Sequence, residues 1–285
     1  MERWFFEFAG LRLCVQGPAA YMPRQMGGLE LFEAPAGDYD HMLNFTVVEE
    51  LDPPEGEDVF HQPDKHVFRQ GDTQIRYDGM VGQSLSGANV RMERRGCISQ
   101  IQVRRSAIPA GITSKLVMSC MEVEHLIADW GGFLLHASVI RFRDKAVLFT
   151  APSGTGKSTQ ADLWCRYRDA ELINGDRTVV RDGMVLGIPF CGSSNVAKNV
   201  KLPLAAIVYL SQAPENTVKR LTGARAFRQV WEGCSIHVWN RTDMERCTQA
   251  VMDAVSAVPV VHLACTPDER AVAALQEFLE MEGAL

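Results

Sequence analysis

The sequence lacks the features that mark membrane-spanning and disulfide-rich proteins. Its longest apolar runs, such as Leu202 to Leu210, are about half the ~20 residues that a membrane-spanning helix needs. The first ten residues include Glu2 and Glu7, and their apolar stretch is shorter than that of a signal peptide. The eight cysteines are scattered without a CxxC pair, which fits neither a zinc site nor a compact disulfide framework. We therefore expect reduced thiols in a cytoplasmic protein.

The chain also lacks a surplus of positive charge. It carries 29 Lys and Arg residues against 35 Asp and Glu residues, for a net charge of −6 over 285 residues. A mildly acidic protein is a poor candidate for binding nucleic acid or anionic membranes, so we expect neither partner. With 46% hydrophobic residues the chain can bury a sizeable core, and its length suits two average domains or one larger domain.

Two parts of the chain differ in pattern and in charge. Residues 1 to about 112 predict short strands and turns, and an apolar stripe predicts a helix over Ser114 to Trp130. From Gly131 onward, predicted strands and helices alternate, as in an α/β domain. Residues 1–130 hold 12 basic and 19 acidic side chains, whereas residues 131–285 hold 17 and 16. We therefore predict a β-rich N-terminal domain over 1–130, ending in a helix, and an α/β domain over 131–285.

Two late helices are predicted from their start signals. Thr242 with Glu245 forms a capping box, and Thr266 with Pro267 and Glu269 forms a second one. Each pattern predicts that its threonine caps the first turn of a helix.

The strongest motif is a glycine-rich loop over residues 151–159, with the sequence APSGTGKST. It follows a predicted apolar strand, Ala146 to Thr150, and precedes a helix-compatible run, which is the context that a phosphate-binding P-loop requires. Glycines let successive backbone N–H groups converge on a phosphate, and the helix N-terminus adds positive potential. Lys157 would reach the β- and γ-phosphates of a nucleotide, and the Ser158 hydroxyl would bind Mg²⁺. The nucleotide-binding candidates in this loop are Ser153, Gly154, Thr155, Gly156, Lys157, Ser158 and Thr159.

A carboxylate follows the next predicted strand. The short strand Leu172 to Gly175 ends at Asp176, 19 residues after Lys157. One helix returns the chain between them, so we predict that this strand lies parallel to the strand before the loop. The carboxyl ends of the two strands would then share one edge of the sheet and bring Asp176 near Ser158. Asp176 could hold Mg²⁺ or accept a proton from an attacking hydroxyl, and both roles stay open.

Two further residues are candidates because of their surroundings. His136 lies on a predicted strand, Phe133 to Ile140, directly before the strand that leads into the loop; such a histidine can also be a packed core residue. Lys198 belongs to residues 196–231, which hold six basic residues and one acid. This local surplus fits a polyphosphate, an acidic substrate or a solvated face, and we predict Lys198 as nucleotide-binding.

Together these segments resemble the catalytic domain of HPr kinase/phosphorylase, which belongs with the phosphoenolpyruvate-carboxykinase-like P-loop proteins. The closer resemblance is to HPr-kinase-related proteins of bacterial genomes, some of which phosphorylate a serine hydroxyl on a peptide, as in the tailoring of lasso-peptide precursors. It spans roughly residues 131–265 and is looser over the N-terminal part. The motifs that carry it are LHAS at 135–138, PSGTGKST at 152–159, INGDR at 173–177, GIPFCGSS at 187–194 and PLAAIVYL at 203–210.

The resemblance implies an α/β fold in which a P-loop kinase domain follows a smaller β-rich domain, and under the kinase hypothesis we expect that smaller domain to help bind the acceptor. The resemblance also implies phosphoryl transfer from a nucleotide, with Mg²⁺, to a hydroxyl group. Lys157 and Ser158 would take the phosphate and metal roles. Asp176 would serve as metal ligand or base, with His136 beside the phosphates. In two respects the chain departs from HPr kinase: Gly175 stands where that enzyme has the first aspartate of a paired acidic motif, and there is no good copy of its C-terminal Glu and Arg signature.

Three functions therefore remain as hypotheses. The leading one is an ATP-dependent kinase that acts on a serine or threonine hydroxyl of a peptide or small protein. The same site could instead act on a small-molecule hydroxyl or acid, or the protein could be a nucleotide-binding regulator with little turnover. No NKxD element indicates guanine, so ATP is the default donor. A homo-oligomer is expected only by analogy with hexameric HPr kinase.

Overall fold

The computed structural model describes residues 1–80 and 84–285, with the backbone alone at Ser193. The fold is mixed α/β and contains two large β-sheets. The chain forms two compact units, Met1–Glu122 and Val123–Leu285, whereas the sequence predicts the division between residues 130 and 131. Within the described ranges, no helix combines the length and the apolar character needed to cross a membrane.

The N-terminal unit is built on one eight-stranded sheet. Its strands are β1 (Glu2–Phe8), β2 (Leu11–Gly17), β3 (His41–Val48), β4 (Glu57–Gln62), β5 (Lys65–Gln70), β6 (Thr73–Asp78), β7 (Val90–Arg95) and β8 (Ile98–Arg104). They lie in the order β1-β2-β3-β8-β7-β6-β5-β4. Strand β3 is parallel to both of its neighbours, and every other adjacent pair is antiparallel. Strand β4 therefore forms one edge of this sheet.

The helix predicted over Ser114 to Trp130 is wrong, because the segment forms two helices. They are α1 (Ser114–Ser119) and α2 (Val123–Asp129). Glu122, between them, has a φ of 47°, which an α-helix cannot contain. Its buried carboxylate lies 3.3 Å from Arg76 and 3.2 Å from Arg94, so the break brings this acid to two arginines of the sheet. The apolar stripe runs across the break, which is why its spacing predicts one helix.

The C-terminal unit contains the second sheet and five helices, counted over the residues described. Its strands are β9 (Phe133–Phe142), β10 (Lys145–Thr150), β11 (Glu171–Asn174), β12 (Arg177–Arg181), β13 (Met184–Leu186), β14 (Lys201–Gln212), β15 (Thr217–Leu221), β16 (Cys234–Ser235) and β17 (Val260–Cys265). After α2, the helices are α3 (Lys157–Arg168), α4 (Gly223–Trp231), α5 (Arg241–Ala257) and α6 (Glu269–Met281).

Five strands of this unit close into a ring. Strand β9 pairs with β10 and with β12, β12 pairs with β13, and β13 pairs with β14, all antiparallel. The ring closes where β14 pairs with β10 in parallel. Strand β9 is long enough to serve both sides, since residues 133–136 pair with β12 and residues 137–142 pair with β10.

The prediction that the strand before Asp176 lies parallel to the strand before the loop is wrong. Strand β11 instead pairs antiparallel with β9, and the two neighbours of β10 are β9 and β14. Strand β9 pairs with both β10 and β11 and therefore separates them. Sequence spacing alone does not reveal that a strand lies between these two. Asp176 nevertheless lies next to β9, because the pairing of β12 places Arg177 opposite His136.

The prediction that Thr242 and Thr266 cap their helices is wrong, because in each case a residue two positions away is the cap. Helix α5 begins at Arg241, and the Asn240 side chain accepts a hydrogen bond from the Asp243 N–H at 3.2 Å. Helix α6 is capped by Asp268, whose carboxylate accepts from the Arg270 N–H at 3.0 Å. Asn and Asp are at least as favourable as Thr in this position, so a local choice between adjacent caps decides the boundary.

The hydrophobic core of the C-terminal unit covers both faces of the sheet. Along β10, Ala146 and Leu148 face one cluster while Val147 and Phe149 face the other. A continuous apolar run of this kind is expected for a strand that is buried on both sides. The second cluster centres on Trp164 of α3, which is fully buried. Its ring lies 5.3 Å from that of Phe142 and 6.5 Å from that of Phe149, so Trp164 fixes the helix that follows the loop.

We expect Trp164→Ala to lower the free energy of unfolding by about 3–5 kcal/mol, because it leaves a cavity under α3. Trp130, which is 38% exposed, is the matched control, and its replacement by Ala should cost less than about 1 kcal/mol. Chemical denaturation followed by circular dichroism measures both. Equal losses in the two variants would show that Trp164 does not anchor the helix.

Candidate nucleotide-binding site

The loop between β10 and α3 leaves room for a phosphate. Gly154 and Gly156 have φ angles of 77° and 118°, which side-chain-bearing residues rarely adopt. Apart from the glycine itself and its two chain neighbours, no atom of the described residues lies within 4 Å of the position that a Cβ would take at either glycine. Helix α3 begins at Lys157 without an acidic residue in its first turn, so the positive end of its dipole is not neutralised there. An open loop of this kind, whose backbone N–H groups lie at a helix N-terminus, suits an anion.

Lys157 folds back over this loop. Its side-chain amine donates to the carbonyl oxygens of Ala151 at 3.0 Å and Pro152 at 3.4 Å. Burial lowers the pKa of Lys157, and the nearby Asp176 carboxylate acts in the opposite direction. The amine is thus held at the mouth of the loop, where an incoming phosphate could exchange with the two carbonyls. Ser158 follows in the first turn of α3 and is exposed.

Asp176 is fixed by the residue two positions before it. The buried Asn174 side chain accepts from the backbone N–H groups of Asp176 at 2.9 Å and Arg177 at 3.1 Å. Its amide donates to the carbonyl of Ile188 at 3.2 Å, which ties the turn to the loop after β13. From that same loop Gly192 approaches so closely that a Cβ there would lie 2.9 Å from the Cβ of Asp176. The carboxylate is therefore supported from two directions.

His136 lies beside this carboxylate. Its Nε2 is 3.5 Å from Oδ1 of Asp176, and Nε of Arg177 is 3.5 Å from the other carboxylate oxygen. Burial lowers the pKa of His136, the positive charges of Lys157 and Arg177 lower it further, and Asp176 acts in the opposite direction. The lowered pKa favours the neutral imidazole, which can accept a proton. His136, Lys157 and Asp176 are thus brought together from three separate segments.

Position 175 requires glycine because Ser194 occupies the space that a side chain there would need. A Cβ at this position would lie 2.4 Å from both the Cβ and the Oγ of Ser194. The Ser194 hydroxyl donates to the Cys191 carbonyl at 2.7 Å and accepts from the Val196 N–H at 3.2 Å, which holds it in place. No side chain fits at position 175 unless residues 191–196 move. The absence of a second carboxylate next to Asp176 is therefore built into the packing.

A series of polar side chains extends from Arg177, the residue after Asp176, to helices α2 and α5. Arg177 lies 3.7 Å from Glu124 of α2, and the other oxygen of Glu124 lies 3.8 Å from His237. His237 approaches the buried Asp243 at 4.0 Å, and His125 donates from Nδ1 to the same carboxylate at 2.9 Å. Arg177 thus lies between two carboxylates, that of Asp176 at the site and that of Glu124 behind it.

Two cavities border the loop. The first, of about 600 Å³, is lined by residues 154–156 of the loop, by Gln160 and by apolar side chains that include Leu210 and Pro267. The second, of about 350 Å³, is lined by residues 151–153 and by His136, Glu232 and other polar groups. The first volume is typical of sites for nucleotide-sized ligands. The loop thus has a cavity on each of its two sides, one of them next to His136.

Lys198 is not brought to the loop. Its amine forms an ion pair with Glu171, which begins β11, whereas Asp176 follows the other end of that strand. Glu171 also pairs with Arg141 of β9. Lys198, which contributes to the basic surplus of residues 196–231, is therefore part of an ion-paired cluster with Glu171 and Arg141.

No individual role is predicted from the sequence for the residues that support the site, although Asn174 and Gly192 lie within the INGDR and GIPFCGSS motifs. Asn174 could have been found, because Asn before Gly commonly forms a side-chain-to-backbone turn. Gly192 and the Gly233 carbonyl, which accepts from the His136 N–H at 2.8 Å, carry no such signal. Their roles depend on distant segments meeting at one edge, which only the folded chain reveals.

The described residues suit a nucleoside triphosphate with Mg²⁺. A lysine amine and the open glycine curve match phosphate oxygens, and the hydroxyl of Ser158 and the carboxylate of Asp176 are oxygen ligands of the type that Mg²⁺ prefers. The cavity beside Gln160 offers apolar surface for a base.

Comparison with known proteins adds little to this geometry. No protein-family model matches the chain, and no curated protein matches it. Among similar solved structures is the Hpr(Ser) kinase/phosphatase from Coxiella burnetii, at 13% identity and a TM-score of 0.26, over 53% of this chain and 93% of that chain. A likeness this weak says nothing about activity.

We expect Gly175→Ala to destabilise the C-terminal unit by about 1–3 kcal/mol, because the new methyl group overlaps Ser194. Ser194→Gly in the same chain should recover part of this loss, whereas Ser194→Ala should recover less, since it keeps the overlapping Cβ. Thermal denaturation of the three single variants and two double variants gives the coupling energies. Additive effects would contradict the close approach.

We expect the pKa of His136, followed by NMR titration of its imidazole, to lie below the usual 6.5. Lys157→Met should raise it by removing a neighbouring positive charge, and Asp176→Asn should lower it by removing a negative one. A pKa that neither substitution moves would mean that these three side chains are not neighbours.

Proposed function

We propose that the protein is an ATP- and Mg²⁺-dependent kinase that transfers the γ-phosphoryl group to a serine or threonine hydroxyl of a peptide or small protein. The observation that carries the proposal is the meeting of Lys157, His136 and Asp176 at a glycine-rich loop that opens a helix. A phosphate bound in that loop would be within reach of one cation, one neutral base and one carboxylate.

Each residue has a role in this proposal. Lys157 and the N–H groups of the loop neutralise charge on the transferring phosphoryl group, which is the main source of acceleration in such reactions. Ser158 and Asp176 would hold Mg²⁺, which supplies further charge neutralisation. His136, whose lowered pKa favours the neutral form and which lies 3.5 Å from Asp176, accepts the proton of the acceptor hydroxyl or orients it together with Asp176.

The cavity beside His136 is the proposed acceptor side. Glu232, Gln229 and Ser235 line it together with the first residues of the loop, so a hydroxyl bound there would face both the phosphate and His136. Its volume of about 350 Å³ also suits a small metabolite with a hydroxyl group, which is the second candidate acceptor.

A nucleotide-binding regulator is the other candidate, and Gly175 favours it. With Ser194 filling the space beside this glycine, the site holds a single carboxylate at the position where a catalytic pair would stand. A regulator would bind the nucleotide without measurable transfer.

The test is incubation with γ-labelled ATP, Mg²⁺ and peptide and metabolite pools from the host. We expect label on a peptide or small protein with the wild type. Lys157→Ala should lower transfer at least about 100-fold, because charge on the phosphoryl group is no longer neutralised. Asp176→Asn should lower transfer to a similar extent while changing nucleotide affinity less than about tenfold.

Lys201→Ala, which removes an exposed lysine at the start of β14, is the matched control and should transfer label at the wild-type rate. Label on small molecules alone would favour the metabolite kinase. Tight nucleotide binding with no label in any pool would favour the regulator, and transfer that survives in Lys157→Ala would refute the assignment of the loop.

A further inference from the structure

The edge hairpin of the N-terminal sheet carries a cluster of metal-ligating groups. Asp58 and His61 on β4 and His66 on β5 have ligand atoms that all lie within 4.8 Å of one another. None of these three residues has a role in the proposed nucleotide site, so the two proposals stand or fall separately.

A β-bulge places the three side chains on one face. His61 lies directly opposite His66, and Asp58 lies opposite Phe68. His66 and Phe68 are two apart on β5 and therefore share a face. Asp58 and His61 are three apart and would face opposite sides of a regular strand, but β4 has one extra residue between Asp58 and Phe60. The bulge thus turns the carboxylate toward the two imidazoles.

His66 has an unusual environment for a histidine. It is only 6% exposed, and neither of its ring nitrogens has a hydrogen-bond partner among the described residues. The centroid of the His61 ring lies 3.5 Å from that of His66. A buried polar group without a partner destabilises the folded state, so a ligand that bonds to a His66 nitrogen would recover this loss.

The segment that leads into the hairpin carries an excess of negative charge. Residues 49–58, which lead into β4 and include Asp58, hold six carboxylates and no basic side chain. A local excess of negative charge raises the concentration of cations at the surface.

We propose that Asp58, His61 and His66 bind one divalent transition-metal ion of the Zn²⁺ type. Zn²⁺ bonds to imidazole nitrogens and carboxylate oxygens at about 2.0–2.2 Å, so ligand atoms of one ion lie within about 4.4 Å of each other, and small side-chain rotations reach that distance. Two imidazoles and one carboxylate suit Zn²⁺ and its neighbours rather than Mg²⁺ or Ca²⁺, which prefer oxygen ligands. The ion would join β4 to β5 and strengthen an otherwise exposed edge.

The experiment is calorimetric titration of the reduced full-length protein with Zn²⁺, using a reductant that does not bind metals. We expect one site per chain that Asp58→Asn and His61→Gln each weaken by at least about 100-fold, more than the loss of a supporting hydrogen bond to a ligand usually costs. Both residues are exposed, so these variants should fold. Asp64→Asn, in the turn of the same hairpin, is the matched control and should bind as the wild type does.

A second readout is the thermal denaturation midpoint. Zn²⁺ should raise it for the wild type and for Asp64→Asn, and not for Asp58→Asn or His61→Gln, since only an ion bound by the folded hairpin stabilises it. Mg²⁺ should leave the midpoint unchanged in the absence of nucleotide. No Zn²⁺ binding by the wild type, or equal binding by His61→Gln, would overturn the proposal.

Discussion

The candidate site depends on strand β9. The strand that leads into the glycine-rich loop and the two strands that flank Asp176 all pair with β9. Strand β10, which leads into the glycine-rich loop, pairs with residues 137–142 of β9, and β12, which follows Asp176, pairs with residues 133–136. His136 lies at the junction of these two segments. The shared strand therefore determines that a lysine, a histidine and a carboxylate from separate parts of the sequence meet at one edge.

The electrostatics of the site follow from that meeting. Burial and the positive charges of Lys157 and Arg177 lower the pKa of His136, while the carboxylate of Asp176 raises it. In the proposed function, a phosphate bound beside Lys157 would add negative charge, which would raise the pKa of His136 and make the imidazole a stronger base for the hydroxyl proton.

The sequence predicted the residues of this edge better than the strand pairing that brings them together. The glycine-rich loop and its flanking strand and helix could be predicted, because their spacing depends on local geometry alone. The position of β11 could not be predicted, since no local signal in the sequence shows that β9 lies between β10 and β11. Glu122, which breaks the predicted helix to reach two arginines, and Lys198, which pairs with Glu171, illustrate the same limit: both positions are decided by distant partners. Asn174 was within reach of sequence reasoning, whereas the contact of Gly192 with Asp176 was not.

The proposed function requires that one bound triphosphate contacts the loop and faces His136 and Asp176. A crystal structure with a non-hydrolysable ATP analogue and Mg²⁺ tests this directly. We expect the γ-phosphate within hydrogen-bonding distance of the Lys157 amine, the metal ion on Ser158 and Asp176, and His136 beside the same phosphate. A nucleotide bound elsewhere, or one whose phosphates leave the loop and Lys157 untouched, would contradict it.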